Sequence, residues 1–286
     1  MIAALLHGKL SRKQENMEDI LTSIVFGVLK HLPPDLILLP WLSKVRSEDG
    51  LALAPDEILR PDVDVDYDFW PQWKEKDCGV CEPDLALWLT WPQPGTQRWV
   101  IGIEAKYLSG KSSIADNQQS HPNDQLAREW DNLASIAQKE NCEPFLIYLT
   151  ADFRLPTDEI RASREDFQRT RGSERPFACY WLSWRHLSAL LDSIHNEQVP
   201  SYVELLKDLG DALRKLELTF FSGFSRPTSM STVPWNFIAP AQHLESLFAG
   251  FAKASIFPSI DWRFRKLQSV YANYQRLSKI EWRFTK

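Results

Sequence analysis

The amino-acid sequence predicts an α/β protein in which helices flank a mixed β-sheet. Three observations support this fold class: a β-hairpin near the middle of the chain, amphipathic helical segments on both sides of it, and short apolar runs that suit buried strands. We expect residues 1–218 to form this α/β domain and residues 219–286 to form a mainly helical C-terminal extension with a basic tail.

The composition is that of a soluble globular protein, with 44% hydrophobic and 25% charged residues. The formal net charge of −5 argues against a protein that simply coats nucleic acid. The charge is uneven, however, because residues 56–68 are acidic and residues 263–286 are basic, so a local basic groove remains compatible with the sequence. No apolar run is long enough to span a bilayer and the first apolar stretch is too short for a signal peptide, which predicts a cytoplasmic protein without membrane contact.

The elements before the hairpin follow from periodicity. Residues 14–32 place apolar side chains at helical spacing and end at two prolines, which predicts a helix. Residues 35–42 are short and apolar and predict a strand or the approach to one. Residues 62–69 alternate aspartate with valine, tyrosine or phenylalanine, which predicts a strand with one solvated acidic face. Residues 70–80 are predicted to be a loop.

Two apolar runs, Leu85–Trp91 and Arg98–Ile103, are separated by a turn rich in proline and glycine. Both runs contain β-branched and aromatic residues, so they predict a β-hairpin. After the hairpin, the pattern predicts a helix over 124–140 capped by Asn123 or Asp124. A strand over 144–150, a helix over 156–171, a strand over 177–184 and helices over 185–195 and 202–218 complete the predicted domain.

Charged residues gather at one end of this hairpin. Alternation along the second strand places Glu104 and Lys106 on the same face. Asp84 begins the first strand, and because the two strands run antiparallel it should lie close to Glu104. Two carboxylates and one ammonium at the same edge suit a hard divalent cation with a polarised water beside it. The competing interpretation is an exposed hairpin whose charges form a surface salt bridge.

Pro83–Asp84, followed after the hairpin by Glu104-Ala105-Lys106, resembles the PD-(D/E)XK motif of the restriction-endonuclease-like nuclease superfamily. The resemblance covers roughly residues 14–185. It implies a restriction-endonuclease-like core and Mg²⁺-dependent hydrolysis of DNA phosphodiester bonds, with Mn²⁺ as a possible substitute for Mg²⁺. In this resemblance Asp84 and Glu104 hold the cation, and Lys106 orients the attacking water or stabilises the developing charge.

The same resemblance implies two auxiliary residues. A glutamate on the helix before the sheet often joins the metal site, and Glu18 fits this position, with Glu15 as the rival. Some members carry a glutamine on the helix after the second hairpin strand, which corresponds to Gln125. A tyrosine four residues later is expected in that subgroup, but Glu129 stands there.

Three further residues are candidates for nucleic-acid binding. Lys111 and Ser112 lie in the polar loop over 107–122 and could contact phosphate. Arg128, one turn into the following helix, could do the same or be solvated. Cys78-x-x-Cys81 has the spacing of half a zinc site, but no second pair exists, so incidental or buried thiols are favoured.

No ATPase, helicase or base-reading module is recognisable. We therefore hypothesise that the chain is the nuclease subunit of a multi-protein antiphage-defence or DNA-processing system in which protein partners supply recognition. The alternatives are a stand-alone restriction or repair endonuclease, acting as a homodimer, and a non-catalytic DNA-binding scaffold of the same fold.

Overall fold

A five-stranded mixed sheet with helices on both faces forms the α/β domain, which confirms the predicted fold class. It is seen in a computed structural model of the chain, which describes residues 2, 6, 17–53, 60–92, 97–107, 109–114, 121–173, 176–194 and 201–220. The predicted C-terminal extension lies outside these residues from position 221 onward. None of the described helices has the length and apolar character needed to cross a membrane.

The described elements follow the predicted order closely. In chain order they are α1 (Met17–Leu29), α2 (Leu38–Leu42), β1 (Asp64–Phe69), β2 (Leu85–Trp91), β3 (Gln97–Ala105), α3 (Gln125–Glu140), β4 (Glu143–Thr150), α4 (Thr157–Arg171), β5 (Cys179–Ser183), α5 (Trp184–Ser193) and α6 (Val203–Lys215).

The strands lie in the order β1-β2-β3-β4-β5. β2 pairs antiparallel with both β1 and β3, whereas β4 pairs parallel with both β3 and β5, with Ala105 opposite Leu149 and Thr150 opposite Ser183. The last residues of these three parallel strands and the first residue of β2 therefore meet at one edge of the sheet. We refer to this as the carboxyl edge. The charged residues of the predicted site are placed there by this register.

Each face of the sheet is covered by its own set of helices. α1, α2, α5 and α6 pack on one face around the buried tryptophans Trp41, Trp99 and Trp184. α3 and α4 pack on the other face, where Leu126 and Leu133 lie against the even-numbered residues of β3. Burial on both faces explains why β3 reads as a nearly continuous apolar run.

The ends of α3 are fixed by side-chain and backbone chemistry. The Asp124 carboxylate accepts a hydrogen bond from the Ala127 N–H at 3.4 Å, so Asp124 rather than Asn123 is the cap. Asn141 ends the helix in the left-handed region, at φ +51°. The predicted helix over 124–140 is confirmed.

The predicted strand over residues 35–42 is wrong, because this segment contains the one-turn helix α2. The Trp41 N–H donates to Ile37 O and the Ser43 N–H donates to Leu39 O, both at 2.9 Å. The helix is almost entirely buried. A short run that is apolar on all sides has no periodicity that separates a buried strand from a buried helix.

β1 has the predicted acidic face. Asp64, Asp66 and Asp68 are exposed, while Val65, Tyr67 and Phe69 are partly buried. Among the described strands β1 pairs only with β2, so it is the edge strand of this sheet. The alternation therefore marks a half-buried strand in which water solvates the carboxylates.

We expect Gly102→Ala to destabilise the domain by about 1–3 kcal/mol, since it overpacks the sheet face under α3. A Cβ at position 102 would lie 2.9 Å from Trp73 Cη2 and 3.4 Å from Leu133 Cδ2. Urea denaturation followed by tryptophan fluorescence measures the change. Gly110→Ala is the control, because its Cβ would meet no atom of the described residues within 4 Å. Equal stability of the two variants would contradict the packing described here.

Candidate functional site

Five predicted residues meet at the carboxyl edge. Asp84 immediately precedes β2, Glu104 lies near the end of β3 and Lys106 immediately follows it, while Glu18 comes from α1 and Gln125 from α3. Glu104 is 2% exposed, and Asp84, Lys106 and Gln125 are each 7–8% exposed. The interpretation as an exposed hairpin with a surface salt bridge does not fit this burial.

The Lys106 ammonium lies between two carboxylates. Its Nζ is 2.7 Å from Glu104 Oε1 and 3.3 Å from Glu18 Oε2. Burial alone would lower the pKa of Lys106, but the negative charges of Glu104 and Glu18 outweigh burial and raise it. The ammonium therefore keeps its proton throughout the physiological pH range.

The backbone around Lys106 is fixed as well. The Lys106 N–H donates to Leu149 O at 2.7 Å, which extends the pairing with β4 beyond the last residue of β3. The buried Trp184 Nε1 donates to Lys106 O at 3.2 Å. The lysine stem thus starts from a backbone held by both neighbouring elements.

Asp84 is a buried acid with few compensating groups. Its Oδ2 accepts the Ala105 N–H at 2.8 Å. Burial, followed by the negative charge of Glu104, raises the pKa of Asp84 to about 7, although the Ala105 N–H and the Lys106 charge oppose this rise. The charge of Glu104 contributes to this rise after burial, so a cation bound beside the two acids would favour their ionised forms.

Glu104 is oriented by a short chain of hydrogen bonds. The Ser112 N–H donates to Gln125 Oε1 at 2.8 Å, and Gln125 Nε2 donates to Glu104 Oε1. Burial raises the pKa of Glu104, while the adjacent Lys106 ammonium opposes the rise. Gln125 and the Ser112 backbone therefore hold this carboxylate in one rotamer.

Glu18 ties α1 to the segment that follows β3. Its Oε2 approaches Lys106, and its Oε1 accepts hydrogen bonds from the Tyr107 N–H and the Ser109 hydroxyl. The rival residue Glu15 lies outside the described part of the chain. Of the two glutamates considered, Glu18 is the one seen beside Lys106.

The three residues predicted to contact nucleic acid lie near the site, but their side chains differ in exposure and in the hydrogen bonds they already make. Lys111 is engaged with the Asp124 carboxylate, with Glu159 O at 3.2 Å and with Ser163 Oγ at 3.0 Å. Ser112 is exposed, and its backbone holds Gln125. Arg128 is half-buried and donates to Asn123 O and Ser113 Oγ. Of these three, Ser112 has the most open side chain.

Sequence reasoning did not assign a role to Glu129. This residue is 1% exposed, lies beside Glu104, and its Oε2 has no hydrogen-bond partner among the described residues. Burial and the negative charge of Glu104 raise the pKa of Glu129 well above its ordinary value. The signal was present in the sequence, because positions 125 and 129 are four residues apart and share one face of α3.

The donor chemistry fits a hard divalent cation. Mg²⁺ uses one or two carboxylates together with water and substrate oxygens, so Asp84 and Glu104 satisfy its requirement. Within the described residues, no group of three or more His, Cys, Asp and Glu side chains is arranged as a complete metal site.

The buried thiols of Cys78 and Cys81 pack against carbonyl oxygens of α3, as expected for buried rather than zinc-binding cysteines.

Comparison with known proteins adds one distant relative. An uncharacterized protein of Pasteurella multocida (strain Pm70) is 25% identical over 227 residues, which cover 74% of this chain and 78% of the relative. No protein-family model and no solved structure matches the chain.

We expect Asp84→Asn to reduce the loss of stability that the metal-free protein shows as pH rises. A buried acid whose pKa is raised to about 7 contributes most below its unfolded pKa, and this contribution is lost as pH approaches 7. Between pH 5.5 and 8 the loss from Asp84 amounts to about 2 kcal/mol.

Urea denaturation at both pH values in the presence of EDTA measures this difference. Asp64→Asn, which changes an exposed aspartate of β1, serves as the matched control and should retain the wild-type pH dependence. If Asp84→Asn also retained the wild-type pH dependence, the pKa of Asp84 would not be raised in the folded protein.

Proposed function

We propose that this chain is a metal-dependent endonuclease with a restriction-endonuclease-like core that hydrolyses phosphodiester bonds of DNA. The observation that carries the proposal is the convergence of Asp84, Glu104 and Lys106 at the carboxyl edge, almost completely buried. Two acids and one ammonium at the end of a hairpin match the resemblance in residue type, order and spacing. Gln125 and Glu18 reach the same place from the helices that the resemblance names.

Asp84 and Glu104 would hold Mg²⁺, or Mn²⁺ in its place, and Glu18 lies close enough to Lys106 to influence the same region. When bound, the cation supplies an activated water and offsets negative charge on the scissile phosphate. Burial and the charge of Glu104 disfavour the ionised form of Asp84, and a bound cation would offset both effects.

Lys106 would orient the attacking water or stabilise the charge that develops on the phosphate. Its ammonium is held by Glu104 and Glu18 rather than by one partner, so it has a defined position at the edge. A fixed positive charge in a site with little water stabilises a developing negative charge at small reorganisation cost. Gln125 acts through Glu104, which it keeps in one rotamer.

Protein partners would direct the nuclease to its target in an antiphage-defence or DNA-processing assembly. The support for this part is the net charge of −5 and the lack of a recognisable motor or base-reading module in the sequence. A stand-alone homodimeric endonuclease would instead cut a defined DNA sequence or structure without additional proteins.

A non-catalytic scaffold is the second candidate. The observation that favours it is the pairing of Lys106 with both Glu104 and Glu18, which also describes a buried structural ion pair. The two candidates differ in their response to divalent cations, because a scaffold does not need a cation to bind DNA and does not cleave DNA when one is added.

Lys106→Met is expected to lower metal-dependent cleavage of plasmid DNA by about 100-fold or more, because one positively charged stabiliser is lost. Supercoiled and linear plasmids incubated with Mg²⁺ or Mn²⁺ and resolved on agarose provide the measurement. Lys139→Met is the matched control, since Lys139 lies on α3 and is 64% exposed. Circular dichroism of both variants establishes folding. Undiminished cleavage by folded Lys106→Met would remove Lys106 from the mechanism.

Mg²⁺ is expected to raise the melting temperature of the wild-type protein, because it binds the folded state only. At a concentration of about 100 times its dissociation constant, a ligand adds about 2.7 kcal/mol, which corresponds to about 5 °C or more for a domain of this size. The increment should vanish in Glu104→Gln, while Glu143→Gln, at the opposite end of the β3–β4 pair, should retain it. An identical increment in both variants would place the cation elsewhere.

A further inference from the structure

A group of aromatic rings extends the carboxyl edge beyond the acidic site. Phe153, which follows β4, is 59% exposed, and Phe220, which follows α6, is 36% exposed. Their ring centroids are 6.4 Å apart, and His186 in the first turn of α5 lies 5.4 Å from Phe220. We name Phe153, His186 and Phe220 the aromatic patch. Exposed phenylalanines in a cluster indicate a binding surface.

The Arg185 guanidinium lies against the aromatic patch and is held in place by hydrogen bonds. It lies 3.8 Å from the centroid of Phe153. The same group donates to Ala151 O at 2.9 Å, to Glu217 O at 2.6 Å and to Thr219 O. These bonds join the segments that carry Phe153 and Phe220. The rings are therefore held in place before any ligand arrives, which lowers the entropic cost of binding.

The surroundings of the aromatic patch are positively charged although the whole chain is acidic. Lys44 and Arg154 are exposed. Burial, followed by the nearby positive charges of Arg46 and Lys44, lowers the pKa of His186. With Arg185 these three make four basic residues, whereas Asp152 and Glu217 are the acids whose charge acts on the Arg185 guanidinium. A local excess of positive charge beside flat rings matches a polyanion with aromatic groups.

The register of the sheet places the aromatic patch near the proposed catalytic residues. Phe153 follows Thr150 and His186 follows Ser183, which is paired with Thr150, while Lys106 follows β3 at the same level. Adjacent strands are about 4.8 Å apart, so β5 lies about 10 Å from β3 along this edge. This separation is short enough for one extended strand to reach both places.

We propose that the aromatic patch binds unpaired bases of a DNA strand whose backbone continues to Lys106. This inference rests on the proposed nuclease function and adds its substrate class, a single-stranded or locally unwound segment. Unpaired bases are favoured because an exposed phenylalanine can stack only on a base face that no neighbouring base covers. In a continuous duplex both faces of each internal base are covered.

The test measures binding without cleavage, with the full-length protein and EDTA present. Fluorescence anisotropy with a labelled oligothymidine and with a matched duplex gives the two affinities. Phe153→Ala combined with Phe220→Ala is expected to weaken oligothymidine binding by about tenfold or more, because stacking of one or two bases is lost. Duplex affinity should change less.

Two single variants separate stacking from a general apolar contact. Phe153→Leu keeps the apolar volume and should weaken oligothymidine binding, whereas Phe153→Trp keeps a flat aromatic face and should retain it. Unchanged oligothymidine affinity in the double alanine variant would overturn the inference, and so would equal losses for Leu and Trp. Those results would identify the patch as an apolar surface for protein or for another part of the chain.

The outcomes also separate this inference from the proposed function. Metal-dependent cleavage together with an unaffected double alanine variant would refute the aromatic patch alone. Loss of oligothymidine binding in the patch variants, with no cleavage under Mg²⁺ or Mn²⁺, would support the patch and refute the nuclease. Absence of any DNA binding by the wild-type protein would overturn the patch assignment.

Discussion

The ionic contacts of the Lys106 ammonium with Glu104 and Glu18 determine how α1 meets the end of β3. Charged groups leave water at a considerable cost, and burial of this kind is tolerated only where partners are close and well oriented. The Ala105 N–H and Gln125 supply the remaining orientation for Asp84 and Glu104. Three acids, Asp84, Glu104 and Glu18, lie at the carboxyl edge with this single ammonium, and the negative charge of Glu104 adds to burial in raising the pKa of Asp84. The site is therefore ordered but remains short of positive charge, which is the condition that a cation-dependent mechanism requires.

The parallel pairing of β3, β4 and β5 determines which further residues lie beside the acidic site. It brings residues that are far apart in sequence to one edge, from Lys106 to Phe153 and His186. The acidic residues of the site lie at one end of this edge, and the exposed rings of Phe153 and Phe220 lie further along it. A strand of nucleic acid that followed the edge would meet both.

The sequence allowed much of this to be predicted because the site depends on local geometry. Period-two alternation places Glu104 and Lys106 on one face, and antiparallel pairing brings Asp84 to them, so short-range rules were sufficient. Other features depend on tertiary structure. The α2 segment has no periodicity of its own, and the engagement of Lys111 depends on Asp124 and on α4. The aromatic patch arises only when the segment after α6 meets the segment after β4.

The exposed aspartates of β1 have a further consequence, for association between molecules. β1 is an edge strand, and such edges offer unpaired backbone groups to other chains. A second copy that added its own β1 there would bring Asp64, Asp66 and Asp68 against like charges, which is unfavourable. We therefore expect this flank of the sheet to resist growth into intermolecular β-structure, so that the protein stays dispersed when it is concentrated at neutral pH and low ionic strength.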